Sequence, residues 1–160
     1  MRFNWIDLLT IGIVATVGGV QLLRGAKSFS RVLYETLLLI AALIGATALY
    51  EPVQAVLGVS RIVAYLVLFV VLATLAMLAG AGLQRLVPFG LGIFGHIFSL
   101  LNGVACGWVV GHAVLRSLTG ISSPQLHLAI RRSWMASQVL NFGAWIELMA
   151  LLRLARWHRL

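Results

Sequence analysis

Few side chains in this sequence could do chemistry, and the most suggestive pair is His96 and Ser99. A spacing of three residues brings two side chains onto one face of a helix, where a histidine could act as base for a serine nucleophile. Ser99 also belongs to a regular series of small residues, so packing explains it without chemistry. No strand is predicted, and therefore no glycine-rich phosphate loop follows one. We expect a protein that is not an enzyme.

Metal, cofactor and thiol chemistry find little support in the spacing of the candidate ligands. His96 and His112 lie far apart in the fourth apolar run and His127 lies beyond it, and their separations do not match those of metal ligands. Cys106 is the only cysteine, which excludes an internal disulfide and a paired cysteine site. We interpret Cys106 as a small buried residue of a packed helix, and we expect no metal and no cofactor.

Asp7, His96 and Asn102 are polar residues placed in or next to apolar runs. A polar group inside a membrane is by default a functional candidate, so these three could line a polar path. They could equally form hydrogen bonds between helices. Asp7 could also be an acid at the start of a helix, where the helix dipole favours negative charge. The sequence leaves these interpretations open.

Composition indicates a membrane protein. Of the 160 residues, 61% are hydrophobic and 10% are charged, whereas soluble domains have about 25% charged residues. The net charge of +8 comes from basic residues that lie between or beyond the apolar runs. This placement is typical of the flanks of membrane spans, and it argues against a nucleic-acid-binding surface. The predicted fold class is an all-α membrane protein in contact with the lipid bilayer.

Four apolar runs predict four transmembrane helices, which together form one domain over residues 1–115. The first run is too long for a cleaved signal peptide, is interrupted by Asp7 and lacks a small-residue cleavage site. The Glu51-Pro52 step predicts that the second helix ends at Tyr50 and that 53–60 is an interfacial loop. The predicted helices cover about 5–23, 32–50, 62–83 and 91–115.

Small residues recur at every fourth position of the fourth run and form what we call the glycine ladder. Four residues turn a helix by about 400°, so the ladder is a nearly straight stripe along one side. In lipid, small residues allow two helix backbones to approach closely, within a bundle or between copies of an oligomer. The first run offers a possible receiving face at Gly12, Ala15, Gly18 and Gly19. The ladder consists of Gly95, Ser99, Gly103, Gly107 and Gly111.

The carboxyl-terminal third of the sequence is more polar and more basic. Residues 116–133 are rich in turn-forming residues and predict a polar linker. Residues 134–160 predict a basic amphipathic helix in the membrane interface. The stretch 142–152 is apolar nearly all round except for Glu147, so a fifth span over about 134–152 is the alternative.

Arg24, Lys27 and Arg31 make the first loop the most densely basic short loop between apolar runs. The positive-inside rule places this loop in the cytoplasm, where its cations could anchor to anionic lipid headgroups. With four spans, however, more basic residues then lie outside than inside. A fifth span reverses that balance, and an inverted protein with both termini in the cytoplasm is the other solution. The orientation stays open.

Three motifs stand out in order along the sequence: the opening NWIDLL, the Arg24-Gly25 pair that closes the first run, and FGHIFSLLNG in the fourth. Over about residues 4–115 they resemble the colicin V production protein (CvpA) family of small bacterial inner-membrane proteins. Leu91 and Gly92 stand where the family has an Asp-Arg pair, Ser99 replaces a glycine, and Asn102 replaces an arginine. The matching positions are Trp5, Asp7, Arg24, Gly25, Gly95, Phe98 and Gly103.

The resemblance implies a non-enzymatic protein linked to production or export of the peptide toxin colicin V and to upkeep of the cell envelope. Helix packing with itself or with a membrane partner would then be its mode of action. The alternative is a small oligomeric channel or transporter in which Asp7, His96 and Asn102 line the path. If the family's activity depends on its charged pair, the departure at Leu91 and Gly92 alters that activity.

Overall fold

The computed structural model describes residues 3–25, 28–90, 92, 94–121 and 123–141. Over these ranges the chain is mostly helical and contains no strand, so the predicted all-α fold class is confirmed. The helices, in chain order, are α1 Trp5–Gly25, α2 Phe29–Leu57, α3 Arg61–Leu86, α4 Phe94–Thr119, α5 Pro124–Arg132 and α6 Trp134–Asn141.

Four of these helices, α1 to α4, are long and apolar enough to cross a membrane, which confirms the prediction of a multi-pass membrane protein. Each leaves most of its apolar span outside the bundle. α3 is the extreme case, because it exposes a continuous set of valine and leucine side chains and buries only Ala64, Tyr65, Phe69, Ala76 and Gly80. Such a perimeter is stable in lipid and would be costly in water.

The prediction that the second helix ends at Tyr50 is wrong, because α2 continues through Pro52 to Leu57. A proline inside a helix removes one backbone hydrogen bond, but it does not oblige the helix to stop. The end is instead set by Gly58, whose φ of 65° lies in the left-handed region and whose amide donates to the Gln54 carbonyl at 2.9 Å. The interfacial loop predicted over 53–60 is therefore mostly helix.

α4 runs from Phe94 to Thr119, later at both ends than the predicted 91–115. The predicted polar linker, 116–133, is largely helical, since it holds the last turn of α4 and all of α5. Ser123 caps α5 by accepting a hydrogen bond from the Leu126 amide, and Pro124 occupies the first helical position. Of the predicted helix over 134–160, α6 forms the first part, and residues 142–160 lie outside the described ranges, as does the question of a fifth span.

α1 packs on α4 and α2 packs on α3, while α2 and α4 join the two pairs. α1 and α4 are antiparallel, since Gly25 lies against Ser99 and Val14 lies against Gly107. We call the end of the bundle at Gly25 and Phe29 the proximal end, and the end that carries α5 and α6 the distal end. The core between the helices is formed by Leu39, Leu43, Ala46, Tyr65, Phe69, Cys106, Val109 and Ala113.

Candidate functional site

The glycine ladder is buried along its whole length, and its centre meets the backbone of α1. A Cβ atom on Gly103 would lie 2.8 Å from the Gly18 carbonyl oxygen, and one on Gly107 would lie 2.8 Å from the Val14 Cα. Real Cβ contacts are not this short, so only glycine permits the approach at either position. The ladder is thus occupied by a helix of the same chain.

The ends of the ladder contact other parts of the bundle. A Cβ atom on Gly111 would touch Val139 of α6 at 3.6 Å, and one on Gly95 would touch Phe29 of α2 at 3.9 Å. Ser99 fills the space beside Gly25 so completely that any side chain on residue 25 would collide with the Ser99 hydroxyl group. Gly25, one of the residues in the resemblance to the CvpA family, is therefore required by packing.

Only part of the predicted receiving face of α1 contacts the ladder. Gly18 does, together with Val14, but a Cβ atom on Gly12 or Gly19 would meet nothing within 4 Å, and Ala15 is exposed. Residues 14, 18 and 25 repeat at helical spacing and share one face, whereas Gly12 and Gly19 lie on another. The sequence alone did not distinguish these two faces, because both carry small residues.

A buried carboxylate organises the proximal half of the bundle. The Glu35 side chain has no exposed surface, although it lies within a predicted membrane span. Arg31 Nε donates to Glu35 Oε1 at 2.7 Å, and Arg24 Nη1 lies 3.5 Å from Oε2. Gln21 Nε2 donates to the same Oε2 at 3.3 Å. These contacts tie the end of α1 to the beginning of α2.

The polar contacts continue from Glu35 to α4. The Thr36 hydroxyl lies 3.2 Å from the Cys106 sulfur, and Gln21 Nε2 lies 3.7 Å from it. Cys106 is fully buried, as the sequence predicts. Gln21 Oε1 is also buried and accepts no hydrogen bond from the described residues. The group of Gln21, Glu35, Thr36 and Cys106, which we call the proximal polar cluster, therefore joins α1, α2 and α4.

Two of the predicted headgroup anchors are thus partners of a carboxylate. The side chains of Arg24 and Arg31 are 40% and 39% exposed, so each guanidinium contacts Glu35 while part of it stays accessible. Lys27 lies outside the described residues. Two guanidinium groups around one carboxylate leave a local excess of positive charge, which is the sign that anionic headgroups require.

Asp7 holds the distal end together. Its Oδ1 accepts hydrogen bonds from the Ser133 hydroxyl at 2.7 Å and from the Met135 amide at 2.9 Å. Its Oδ2 accepts from the Asn4 amide at 2.8 Å, while Asn4 Oδ1 accepts from the amide of Ile6 at 2.7 Å. This reciprocal arrangement caps the start of α1 and fixes the junction of α5 and α6. Asn4 also donates from Nδ2 to the Ala129 carbonyl at 2.8 Å.

The structure does not bring Asp7, His96 and Asn102 together. His96 is exposed and lines a cavity of about 510 Å³ at the proximal end, beside Ser28, Ser30 and Gly95. Asp7 lies at the opposite end, and between residues 7 and 25 α1 rises by about 27 Å. Asn102 Nδ2 donates to the Phe98 carbonyl of its own helix at 2.9 Å. The three side chains occupy separate environments.

His112 and His127, the other histidines within the described ranges, each contact a backbone carbonyl. His112 Nδ1 lies 3.1 Å from the Val139 carbonyl oxygen, which links α4 to α6, and His127 Nε2 lies 2.8 Å from the Ile121 carbonyl oxygen. Among the described residues, no three His, Cys, Asp or Glu side chains form a group that could hold a metal ion.

Protein-family models, curated proteins and solved structures were compared with this chain, and none of them matches.

Sequence reasoning missed Gln21, Thr36 and Arg24 as members of the region around Glu35. A signal was available, since Gln21 is a rare amide in an apolar run and Glu35 is a charge that needs more than one partner. Which helix supplies that partner depends on tertiary packing.

Proposed function

We propose that this chain is a non-enzymatic protein of the bacterial inner membrane that acts through helix packing with itself or with a membrane partner. Its role would lie in colicin V production or export and in envelope upkeep, as the resemblance to the CvpA family implies. The resemblance supplies the cellular role, and the contacts inside the bundle supply the mode of action.

The observation that carries the proposal is how the buried carboxylates are used. Glu35 binds Arg24 and Arg31, and Asp7 binds the junction of α5 and α6. Both carboxylates therefore hold helices in place, as expected of a rigid scaffold. A conduit would instead need polar groups that converge on one path, whereas Asp7 is bound by Ser133 and the Met135 amide, and Asn102 donates to a carbonyl of its own helix.

The outer faces of the bundle are where a partner would bind. On α1, Gly12 and Gly19 leave the backbone open to a neighbouring helix. On α4, the side opposite the ladder exposes large apolar side chains, among them Phe94, Ile97 and Leu101. At the proximal end, the accessible parts of Arg24 and Arg31 can contact anionic lipid headgroups.

The proposal is tested by measuring colicin V release from a producing strain in which this chain is the only member of its family. Gly103→Leu places a side chain against the Gly18 backbone, so we expect both the folded protein and the release of toxin to be lost. Gly12→Leu is the matched control for folding, since the same change there meets open space. It should fold but lower the release of toxin, because Gly12 lies on the proposed partner face. His96→Leu and Asn102→Leu are expected to fold and to retain release.

Two results would contradict the proposal. If His96→Leu or Asn102→Leu abolishes release while the protein stays folded in the inner membrane, a polar path is the better explanation. If deletion of the whole chain leaves toxin release and envelope integrity unchanged, the cellular role is wrong. Fractionation of the same cells checks the inner-membrane location.

A further inference from the structure

Two cavities near the distal end, one apolar and one partly polar, share Arg116 as a lining residue. The larger, of about 640 Å³, is an apolar groove between α2 and α4. The smaller, of about 340 Å³, is lined by Arg61 and Arg116 together with Tyr50, Tyr65 and Ser117. Arg116 lines both cavities, so a single molecule could occupy them together. The aliphatic lining residues of the groove are Ile40, Leu43, Ile44, Ala48, Ala105 and Val109, and Thr47, Trp108 and His112 complete its wall.

From these cavities we propose that the distal end binds one anionic phospholipid. Its phosphate lies between Arg61 and Arg116, and one acyl chain lies in the groove between α2 and α4. This site is independent of the proposed headgroup contacts of Arg24 and Arg31, because it lies at the opposite end of the bundle.

The length of the groove fits an acyl chain. It extends from residue 40 to 48 on α2 and from residue 105 to 116 on α4, or about 12 Å and about 16 Å of helix. One leaflet of the hydrocarbon core is about 15 Å thick. Ile44 on its rim is 64% exposed, so the groove opens sideways toward lipid. A chain could therefore enter from the bilayer without crossing water.

The position of Arg116 fits a headgroup. Its guanidinium carbon lies 5.9 Å from the ring centre of Tyr50 and 5.6 Å from that of Tyr65. Tyrosine is enriched where the hydrocarbon core meets the headgroups. Half-buried Tyr50 marks that level, and Tyr65 extends from it into the core. They also hold the cation in place by cation–π attraction, which leaves its N–H groups able to donate to a phosphate.

Charge supports an anionic ligand over a neutral one. The salt bridges among the described residues both involve Glu35 at the proximal end, so no described carboxylate pairs with Arg61 or Arg116. Glu51 accepts a hydrogen bond from the Tyr50 hydroxyl at 2.9 Å and adds one negative charge nearby, so the two arginines still leave the region positive. Arg61 also opens α3, where the positive end of the helix dipole favours an anion.

The test uses the purified full chain, freed of lipid in detergent and titrated with phosphatidylglycerol or with phosphatidylcholine of the same acyl composition. Bound lipid is counted by native mass spectrometry, and the thermal midpoint is followed in parallel. We expect one phosphatidylglycerol per chain, bound about tenfold more tightly than phosphatidylcholine, because two cations near the headgroup each favour the anion.

Variants separate the two halves of the site. Arg61→Gln and Arg116→Gln should remove the preference for phosphatidylglycerol, and Ala48→Phe should weaken both lipids by filling the groove. Arg85→Gln is the matched control, since it removes an exposed arginine at the proximal end. Arg116→Gln also removes the cation–π contacts with the two tyrosines and could unfold the protein. Arg61 is exposed, so Arg61→Gln tests the headgroup contact without removing those contacts.

Three results would overturn the assignment. Equal affinity for the two lipids would show that the site does not select an anionic headgroup. An equal loss of preference in Arg85→Gln shows that only net charge matters. Displacement of phosphatidylglycerol by millimolar inorganic phosphate shows that the site takes a free anion and that the groove does not hold an acyl chain.

Discussion

Glu35 of α2 packs directly against Gly80 of α3, where a Cβ atom on residue 80 would lie 2.9 Å from the Glu35 Cγ and 3.1 Å from its backbone nitrogen. The absence of a side chain at residue 80 therefore creates the space in which the buried carboxylate meets Arg24 and Arg31. Three helices depend on one glycine at this point, which makes it a sensitive place to test the structure.

Gly80→Ala is expected to lower the free energy of unfolding by about 1–3 kcal/mol, because the added methyl group overfills a packed site. Gly82→Ala is the control, since a Cβ atom there meets nothing within 4 Å. It should leave stability unchanged or raise it by up to about 1 kcal/mol through helix propensity. Denaturation of the full chain in mixed micelles measures both. Equal effects of the two substitutions would contradict the contact between α2 and α3.

Glu35→Gln should destabilise the bundle by about 1–3 kcal/mol, because the amide group places a donor where Arg24 and Gln21 also donate. Glu51→Gln, at an exposed acid of the same helix, should change stability by less than about 0.5 kcal/mol. The same micelle titration compares them. A neutral result for Glu35→Gln would mean that the two arginines do not need the carboxylate.

Asp7→Ala should release α5 and α6 from the bundle while α1 to α4 stay folded. The substitution removes the acceptor for Ser133 and for the Met135 amide, and it breaks the cap at Asn4. Limited trypsin digestion at Arg131 and Arg132 should become at least several-fold faster, with α-helical content from α1 to α4 retained. Ser137→Ala, at an exposed serine of α6, serves as control. Unchanged cleavage after Asp7→Ala would show that Asp7 does not hold this segment.

Cys106 should resist a membrane-permeant maleimide in the folded protein and react fully after denaturation. Its side chain is completely buried beside Thr36, and it is the only cysteine of the sequence. Val56→Cys, at a position 85% exposed near the end of α2, should take up one equivalent under the same conditions. Rapid labelling of the parent protein would place Cys106 outside the core.

The sequence was sufficient to predict what depends on local pattern. Apolar runs predict the four long helices, and four-residue spacing predicts the buried face of α4. The sequence was not sufficient where one residue signals the end of a helix and the residues around it favour its continuation. Pro52 is a strong local stop signal, yet α2 continues for another turn and ends only where Gly58 can adopt a positive φ.

Contacts between residues far apart in the sequence could not be predicted either. Ser133 binds Asp7 across 126 positions, and Cys106 meets Thr36 across 70. No repeating pattern in the sequence indicates either contact, because the packing of whole helices decides which residues meet. Arg116 illustrates the same limit, since its two tyrosine partners come from α2 and α3 and its sequence neighbours do not reveal them.

The measurement that tests the account most directly compares Gly107→Leu with Gly12→Leu in the unfolding of the full chain. The glycine ladder packs α4 against α1 within one chain, so Gly107→Leu should abolish the folded monomer. The milder Gly107→Ala should cost about 1–3 kcal/mol, and Gly12→Leu should leave the unfolding curve in place. If Gly107→Leu and Gly12→Leu unfold alike, with the oligomeric state unchanged, α4 does not pack on α1 through its ladder and the account fails.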